Sequence, residues 1–407
     1  MPISSARKRL TPEIPLSPSI NGARIVYKVL TDLGIEGFWN DMNEPALFYS
    51  PDRLKAFFDS MAEMSKMPNI EQEDFFEKVV GGVMGLMNSP EDYASFYHEV
   101  NGQRIRHDRV HNLYGGSMTR AAGEALAKER PDKRTLLYSR SSFIGSHRYG
   151  GIWLGDNNSS WAQLLANIQM MPSVQMCGFL YSGADLCGFS SDTTPDLALR
   201  WLEFGLLTPL MRNHSAVGTR MQEYYRFPEV LPAVRNMIRL RYALLPYLYS
   251  EFMKAALENT SYFRPLAFDY PDNPDAREVE DQLLLGEGLM AAPVYVQNAH
   301  GRHVYLPESM KLLRLRAVDD YDEEILPAGH HYIRCALDEM LLFLRPGHIV
   351  PVAQPANNTS ELDDASLTLW SFLPDGESAE YRMYRDDGVT TEYEKKEHWK
   401  TLQIHHS

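Results

Sequence analysis

The chemistry-bearing residues of this chain begin at Asn40-Asp41-Met42-Asn43-Glu44-Pro45, directly behind the short apolar run Ile35-Glu36-Gly37-Phe38-Trp39. An isolated Asp after a strand is as well explained as a turn residue or a helix cap. Here Asp41, Glu44, Asn40 and Asn43 all lie within six residues of Trp39, more polar chemistry than a turn needs. A second place repeats the pattern: Gly151-Ile152-Trp153-Leu154-Gly155-Asp156-Asn157 is a short apolar strand ending in an acid beside an indole. Carboxylates at the ends of two different strands can divide the cleavage of a glycosidic bond. One attacks or stabilises the anomeric carbon while the other protonates the leaving oxygen. Indole faces also stack on the apolar faces of pyranose rings.

Such acids need elements to hold them. Apolar residues at helical spacing (Ile25, Val26, Val29, Leu33) predict a helix over Ile20–Leu33 that stops at Gly34, followed by the buried strand that ends at Trp39. The same alternation recurs: a helix over Met118–Lys128 before a strand over Arg134–Tyr138, and a helix over Trp161–Met170 before a strand over Gly178–Tyr181. Alternating helices and short buried strands through about residue 215 predict βα units and a parallel sheet or barrel, in which strand C-termini build the site. Between Ser50 and Arg109 the periodicity is helical but interrupted (Leu54, Phe57, Phe58, Met61, Met64, then Phe75–Met87), which reads as an insertion forming a lid or rim. A long helix is predicted over Glu229–Leu257, kinked at Pro246. Beyond Ser261, short strand-like runs at Gly288–Tyr295, His303–Leu306, Leu341–Leu344 and Ser366–Leu373 predict an all-β domain.

Composition narrows the function. The 407 residues carry 44% hydrophobic and 23% charged side chains, an ordinary globular balance. Forty Lys and Arg against 54 Asp and Glu leave a net charge of −14, which repels phosphate backbones and anionic lipid, so neither a nucleic acid nor a membrane is expected as partner. The apolar runs fall short of the ~18 residues of a membrane span. Cys177, Cys187 and Cys335 form no disulfide framework, and the first residues show no secretory h-region, so a cytoplasmic location is expected. His107-Asp108-Arg109-Val110-His111 has metal-like spacing but no identifiable third ligand, and reads as solvated surface. Gly81-Gly82-Val83-Met84-Gly85 lacks the spacing of a dinucleotide loop, so no metal and no cofactor is implied.

Five ordered motifs make a resemblance specific. Phe38-Trp39-Asn40-Asp41-Met42-Asn43-Glu44-Pro45 resembles the nucleophile signature of glycoside hydrolase family 31, the retaining α-glucosidase and α-xylosidase family. Ser139-Arg140-Ser141-Ser142-Phe143 through Trp153-Leu154-Gly155-Asp156-Asn157 is similar to its acid/base region. Gly183-Ala184-Asp185-Leu186-Cys187-Gly188-Phe189 and Pro209-Leu210-Met211-Arg212-Asn213-His214 are similar to its last barrel motifs. The helix around Arg241–Tyr249 and Ala292-Pro293-Val294-Tyr295 match the barrel end and the β-domain behind it.

The resemblance implies Asp41 as nucleophile and Asp156 as general acid/base. Trp39, Met42, Arg140, Trp153, Asp185, Phe189 and His214 are implied as substrate-binding residues, with Met42 and Asp185 supporting the others. Arg140 supplies a fixed fork of donors for hydroxyls and a carboxylate. Asp156 has to carry a proton when substrate arrives, which apolar walls such as Trp153 and Phe189 would favour by desolvation. His214 alone could be a structural histidine; beside Arg212 and Asn213 at a strand end it reads as a site residue.

The implied fold is an α/β protein: a (β/α)8 TIM barrel lacking its first strands, followed by an all-β sandwich domain. Residues 1–258 would form the partial barrel with its insertion at about 50–109, 259–355 a proximal β-sandwich, and 356–407 the start of a distal β-domain. Asp41 lies only forty residues from Met1, so an N-terminally truncated family member is expected, with a barrel edge left uncovered and open to self-association. The implied activity is retaining hydrolysis of terminal α-linked glucose from an oligosaccharide or glucoside. Its alternatives are an inactive fragment with residual sugar binding, an α-xylosidase and a transglucosidase.

Overall fold

A computed structural model describes residues 27–405, apart from 47, 48, 88 and 101. The chain forms two compact units that meet in sequence at Ile152/Trp153.

In the first unit, residues 27–32 are helical and Gly34, at φ +89°, ends the turn; the part of the expected helix before residue 27 lies outside the described residues. Strand β1 (Gly37–Asn40) follows, as the apolar run predicts. Helix α1 (Pro51–Met64), capped by Ser50, opens the insertion and buries none of its residues. The helical run expected next breaks into a π-helical stretch at Phe75–Val80 and a short helix at Gly81–Gly85. After helix α2 (Pro90–Ser95) comes a hairpin that the helical reading of the insertion does not contain, β2 (Tyr97–Val100) with β3 (Gln103–Arg106). Helix α3 (His111–Glu129) is longer at its start than expected and buries Ala121, Ala122, Ala125 and Leu126. It leads to β4 (Leu136–Ser139), which pairs in parallel with β1 in the register Trp39↔Tyr138 and Asn40↔Ser139. β5 (Gly151–Trp153) begins beside β4, with Tyr138 opposite Gly151. Among the described residues β1 has β4 as its one neighbouring strand.

In the second unit, helix α4 (Trp161–Met176) runs past the expected end at Met170, through Pro172. The strand expected at Gly178–Tyr181 is displaced to β6 (Ser182–Gly183). The reason is a helix stop: Gly178 at φ +91° donates to the Gln175 carbonyl (2.8 Å) and Phe179 N–H to that of Val174 (3.2 Å), so this apolar stretch closes α4 instead of entering the sheet. β7 (Asp185–Leu186), helix α5 (Pro195–Gly205) and β8 (Arg212–Asn213) follow, β7 pairing in parallel with β8. Helix α6 (Leu231–Glu258) is unbroken through Pro246 and ends on Asn259 in the left-handed conformation.

Beyond it the chain is β, as expected. β9 (Phe263–Pro265), β10 (Leu283–Leu285), β11 (Leu289–Ala291), β12 (Gly301–Leu306), β13 (Met310–Leu315), β14 (Tyr321–Leu326), β15 (Gly329–Arg334) and β16 (Met340–Leu344) come first. β17 (Ile349–Val352), β18 (Thr368–Ser371), β19 (Ser378–Tyr384) and β20 (Trp399–His405) complete the order. Six of them form one antiparallel sheet in the order β14-β13-β16-β11-β10-β9. Its central strands read as continuous apolar runs because both faces are covered. Met340, Leu342 and Leu344 of β16 join one core with Leu202 and Phe204 of α5 and Leu240 and Leu244 of α6. The alternate residues Leu341 and Phe343 point to a second core with Val304 and Leu306 of β12 and Ile333 of β15. The last hairpin, β19–β20, docks on α6: Tyr381 donates its hydroxyl to Glu251 Oε1 at 2.7 Å, Tyr384 N–H donates to Ser250 Oγ at 2.8 Å, and Lys254 lies 4.0 Å from the Tyr381 ring centre.

Candidate active site

The residues expected to carry chemistry fall into two sets, one in each compact unit. In the first, parallel pairing of β1 and β4 brings the loops after Asn40 and Ser139 side by side. Arg140 N–H donates to the Asn40 carbonyl at 3.0 Å. Asn43 ties the loops together: its Nδ2 donates to Ser139 Oγ (2.8 Å) and its Oδ1 accepts from Ser141 N–H (2.9 Å). Gly115 on α3 permits this approach, since a Cβ there would stand 2.6 Å from the Ser141 Cβ. Met42 turns the loop in the left-handed region (φ 55°), and its N–H donates to Asp41 Oδ1 at 2.7 Å.

On this frame Arg140 spans two carboxylates. Its Nε and Nη2 form a fork on Glu44, 2.8 Å to Oε1 and 3.0 Å to Oε2, and its Nη1 lies 3.2 Å from Asp41 Oδ1. The fork is the one expected of Arg140, but Glu44 takes it; its place three residues after Asp41 in the acid-rich loop is the available signal. Partial burial pushes the Glu44 carboxyl up, and the hydrogen bonds and charge of Arg140 more than offset it, so the group lies below its ordinary value. Asp41 stands half exposed, its Oδ1 taking both the Met42 N–H bond and the Arg140 contact. Trp39 stacks on Tyr138 across the strands, ring centres 4.7 Å apart.

The second set gathers around β7 and β8. Trp153 is buried, and Leu154 N–H donates to the Gly183 carbonyl at 3.0 Å. Asp185 is fully buried, one oxygen bound to Arg212 Nη2 and the other, Oδ2, with no hydrogen-bond partner among the described residues. Burial raises the Asp185 pKa, against the lowering effect of Arg212 and His214; the charge of Asp156 adds to the rise. Asp156 and His214 thus both act electrostatically on Asp185. The Arg212 guanidinium lies 5.9 Å from the Trp153 ring centre, and the Phe189 and His214 rings are 5.3 Å apart.

Asn157 organises this loop cluster, donating to Asn167 Oδ1 and the Asp185 carbonyl (both 3.0 Å) and accepting from Phe189 N–H at its own Oδ1 (2.9 Å). Gln222, buried, donates to the carbonyls of Gly188 and His214 at 2.9 Å each; sequence reasoning gives it no role. Asp156 itself is exposed, so Trp153 and Phe189 do not form the enclosing apolar walls expected of them. The Phe189 ring lies beside His214 instead, and its backbone N–H donates to Asn157 Oδ1.

The histidine cluster also departs from expectation. His107 is fully buried, not solvated surface, with His98 Nε2 at 2.7 Å from its Nδ1 and His111 Nδ1 at 3.1 Å from its Nε2.

The "Glycosyl hydrolases family 31 TIM-barrel domain" matches residues 22–251. The chain belongs to glycosyl hydrolase family 31. The family's C-terminal domain matches residues 259–350, so the fold is the family 31 TIM-barrel domain followed by a β-sheet domain. Alpha-glucosidase 2 of Bacillus thermoamyloliquefaciens is 31% identical over 371 residues, which are 91% of this chain and 41% of that protein. Lysosomal alpha-glucosidase of Bos taurus is 31% identical over 87% of this chain and 37% of its own length. The chain therefore spans about two fifths of the curated relatives it matches. Among solved structures, the glucosidase II alpha subunit with bound alpha3-Glc2 superposes with a TM-score of 0.70 at 26% identity, covering 91% of this chain and 36% of that one.

Proposed function

We propose that this family 31 chain carries the catalytic residues of a retaining α-glucosidase, with Asp41 as nucleophile and Asp156 as general acid/base. The observation that carries the reading is Arg140, whose three nitrogens hold Glu44 and Asp41 together at the C-terminal end of β1, where a barrel presents its chemistry. In the first step the Asp41 carboxylate attacks the anomeric carbon, the glycosidic bond breaks, and the leaving oxygen takes the Asp156 proton. In the second, Asp156 takes a proton from water, whose oxygen displaces Asp41 and restores the α configuration. Trp39, Met42, Arg140, Trp153, Phe189 and His214 serve the sugar, and the buried Asp185 offers Oδ2 as an acceptor for a hydroxyl.

The relatives named alpha-glucosidases support glucose as the sugar. The free thiols of Cys177, Cys187 and Cys335 are in keeping with a cytoplasmic location, which fractionation tests. The side of β1 that has no neighbouring strand among the described residues would offer a surface for self-association, which gel filtration tests.

The decisive experiment pairs Asp41→Asn with Asp41→Gly. Asp41→Asn should abolish release of glucose from p-nitrophenyl α-glucoside, and azide should rescue Asp41→Gly with a product of inverted configuration. An Asp41→Asn variant retaining more than ~1% of the parent kcat would assign the nucleophile elsewhere.

A further inference from the structure

In the second unit the loops after β7 and β8 are stitched together by Ala216, Arg220 and Gln222. Ala216 N–H donates to the Phe189 carbonyl at 2.7 Å, Arg220 N–H to Asp192 Oδ1 at 2.6 Å, and Gln222 Nε2 to the Gly188 carbonyl at 2.9 Å. The Arg220–Asp192 bond is exposed, so water competes for it, whereas the Gln222 side chain is buried. Of these three residues Gln222 also grips His214: the same Nε2 donates to the His214 carbonyl at 2.9 Å, while Asn213 Nδ2 donates to the Gln222 carbonyl at 2.9 Å. The segment from His214 to Gln222 is thereby closed at its base.

The chemistry of the amide fixes which end points where. Carbonyl oxygens of Gly188, His214 and, at 3.5 Å, Leu186 face Nε2, and an amide oxygen in that place would meet only acceptors. The two N–H bonds are therefore committed, one to each loop. The other end of the amide gains nothing, since Oε1 is buried with no hydrogen-bond partner among the described residues. A methionine of similar length would fill the space without burying an idle acceptor, so what glutamine adds at this position is its two donors.

Both donors end beside the site. Gly188, at φ +87°, precedes Phe189, whose N–H donates to Asn157 Oδ1 in the loop that carries Asp156, and the Phe189 ring lies 5.3 Å from that of His214. We propose that Gln222 is a positioning residue of the hydrolytic site: by clamping the Gly188 and His214 carbonyls it fixes the backbone from which the Phe189 and His214 rings project, and so presents His214 to the sugar. This rests on the reading of His214 as a residue that serves the sugar. It adds a residue beyond the last motif, which ends at His214.

The test has an arm that needs no turnover. In the intact chain labelled with 15N-glutamine and 15N-histidine, both side-chain amide protons of Gln222 should exchange with solvent far more slowly than those of the exposed Gln103. Gln222→Met should displace the His214 ring resonances. Gln222 amide protons that exchange as fast as those of Gln103, or His214 resonances unmoved by Gln222→Met, overturn the proposal.

The kinetic arm is a double-mutant cycle on p-nitrophenyl α-glucoside, run well below the melting temperature of every variant. Gln222→Met should lower kcat/KM roughly ten-fold in the parent, and by less than about two-fold once His214→Ala has removed the ring it positions. A glutamine that only holds the fold together would give the same loss in both backgrounds. Equal losses, or parent kcat/KM in either Gln222→Met or His214→Ala, beside a dead Asp41→Asn overturn the positioning role and leave the function standing. Undiminished turnover in Asp41→Asn, or none in the parent, overturns the function instead, and the amide exchange and the His214 resonances then decide the clamp. Should Gln222→Met fail to fold, Gln222→Asn, which withdraws the amide by one methylene, takes its place in both arms with the same outcomes.

Discussion

Replacing Arg140 by Lys keeps the positive charge and removes the fork, so it separates geometry from electrostatics at the centre of the site. Arg140 makes two hydrogen bonds to Glu44, at 2.8 and 3.0 Å, and a longer contact of 3.2 Å to Asp41. A buried hydrogen bond to a charged group contributes about 1.5–3 kcal/mol. The side chains of Arg140, Glu44 and Asp41 are 20%, 30% and 51% exposed, so solvent screens the pair. About 1 kcal/mol for each Glu44 bond and almost nothing for Asp41 is then the scale. A lysine ammonium can keep one of these bonds but not the planar pair. Arg140→Lys should cost about 1–2 kcal/mol of stability at pH 7 in urea unfolding. Because Asp41 loses its fixed neighbour, kcat/KM on an α-glucoside should fall about ten- to thirty-fold, 1.4 kcal/mol being a factor of ten.

The pH dependence has a definite sign. Glu44 is depressed in the folded protein, so its stabilisation is present in full above the ordinary carboxylate range and disappears as pH falls below that range through the lowered folded-state value. The gap between parent and variant should close in the same direction. A variant within about 0.3 kcal/mol of the parent at pH 7, with kcat/KM within about two-fold, refutes the role given to the fork.

Two further outcomes follow from the second unit. Burial, partly offset by Arg200 on the same helix, pushes Glu203 up to about 7, so the folded state holds a proton the unfolded chain has released from about pH 4.5 upward. Stability should therefore fall by up to ~3 kcal/mol between about pH 4.5 and 7. Glu203→Gln should flatten that decline in chemical unfolding at several pH values, and an unchanged slope would exclude Glu203 as its cause. Gly188 holds φ +87°, and a Cβ there would meet the Ser159 amide nitrogen at 2.4 Å. Gly188→Ala should accordingly lower stability by at least ~1–3 kcal/mol in urea unfolding and alter the Phe189–His214 contact, visible as a shift of the His214 ring resonances.

The elements legible in the sequence are those whose own residues decide them. β1 and β4 are short apolar runs between helices, and α3 carries its alanine face in its spacing. The hairpin β2–β3 escapes such a reading because Tyr97-His98-Glu99-Val100 and Gln103-Arg104-Ile105-Arg106 lack a clean apolar alternation. The Asn101-Gly102 dipeptide between them, with Gly102 at φ +76°, is the turn signal. Gly178–Tyr181 misleads for the opposite reason. Its apolar character is real, but the glycine uses it to close a helix, a local competition that periodicity does not register.

Within the two candidate sets, residue types nominate Asp41 and Arg140 in the first unit and Asp185 and His214 in the second. They do not say that Glu44 takes the fork, which depends on a partner 96 positions away, that Asp156 stands exposed, or that the nearby rings of His98, Tyr93 and His111 pack around a buried His107. Charge and spacing name candidates; distant packing assigns their duties.

The docking of β19–β20 on α6 has a consequence for how the protein is made. Glu251 waits for Tyr381 and Ser250 for Tyr384, partners separated by 130 and 134 positions. At about 5–20 residues per second, the ribosome delivers them roughly 7 to 27 seconds after the helix. Throughout that interval Tyr247, Glu251 and Lys254 present a surface whose final cover has not been synthesised. The nascent chain is therefore exposed to chaperones and proteases at this helix for longer than at β1 and β4, whose pairing closes within about a hundred residues, Gly37 to Leu136.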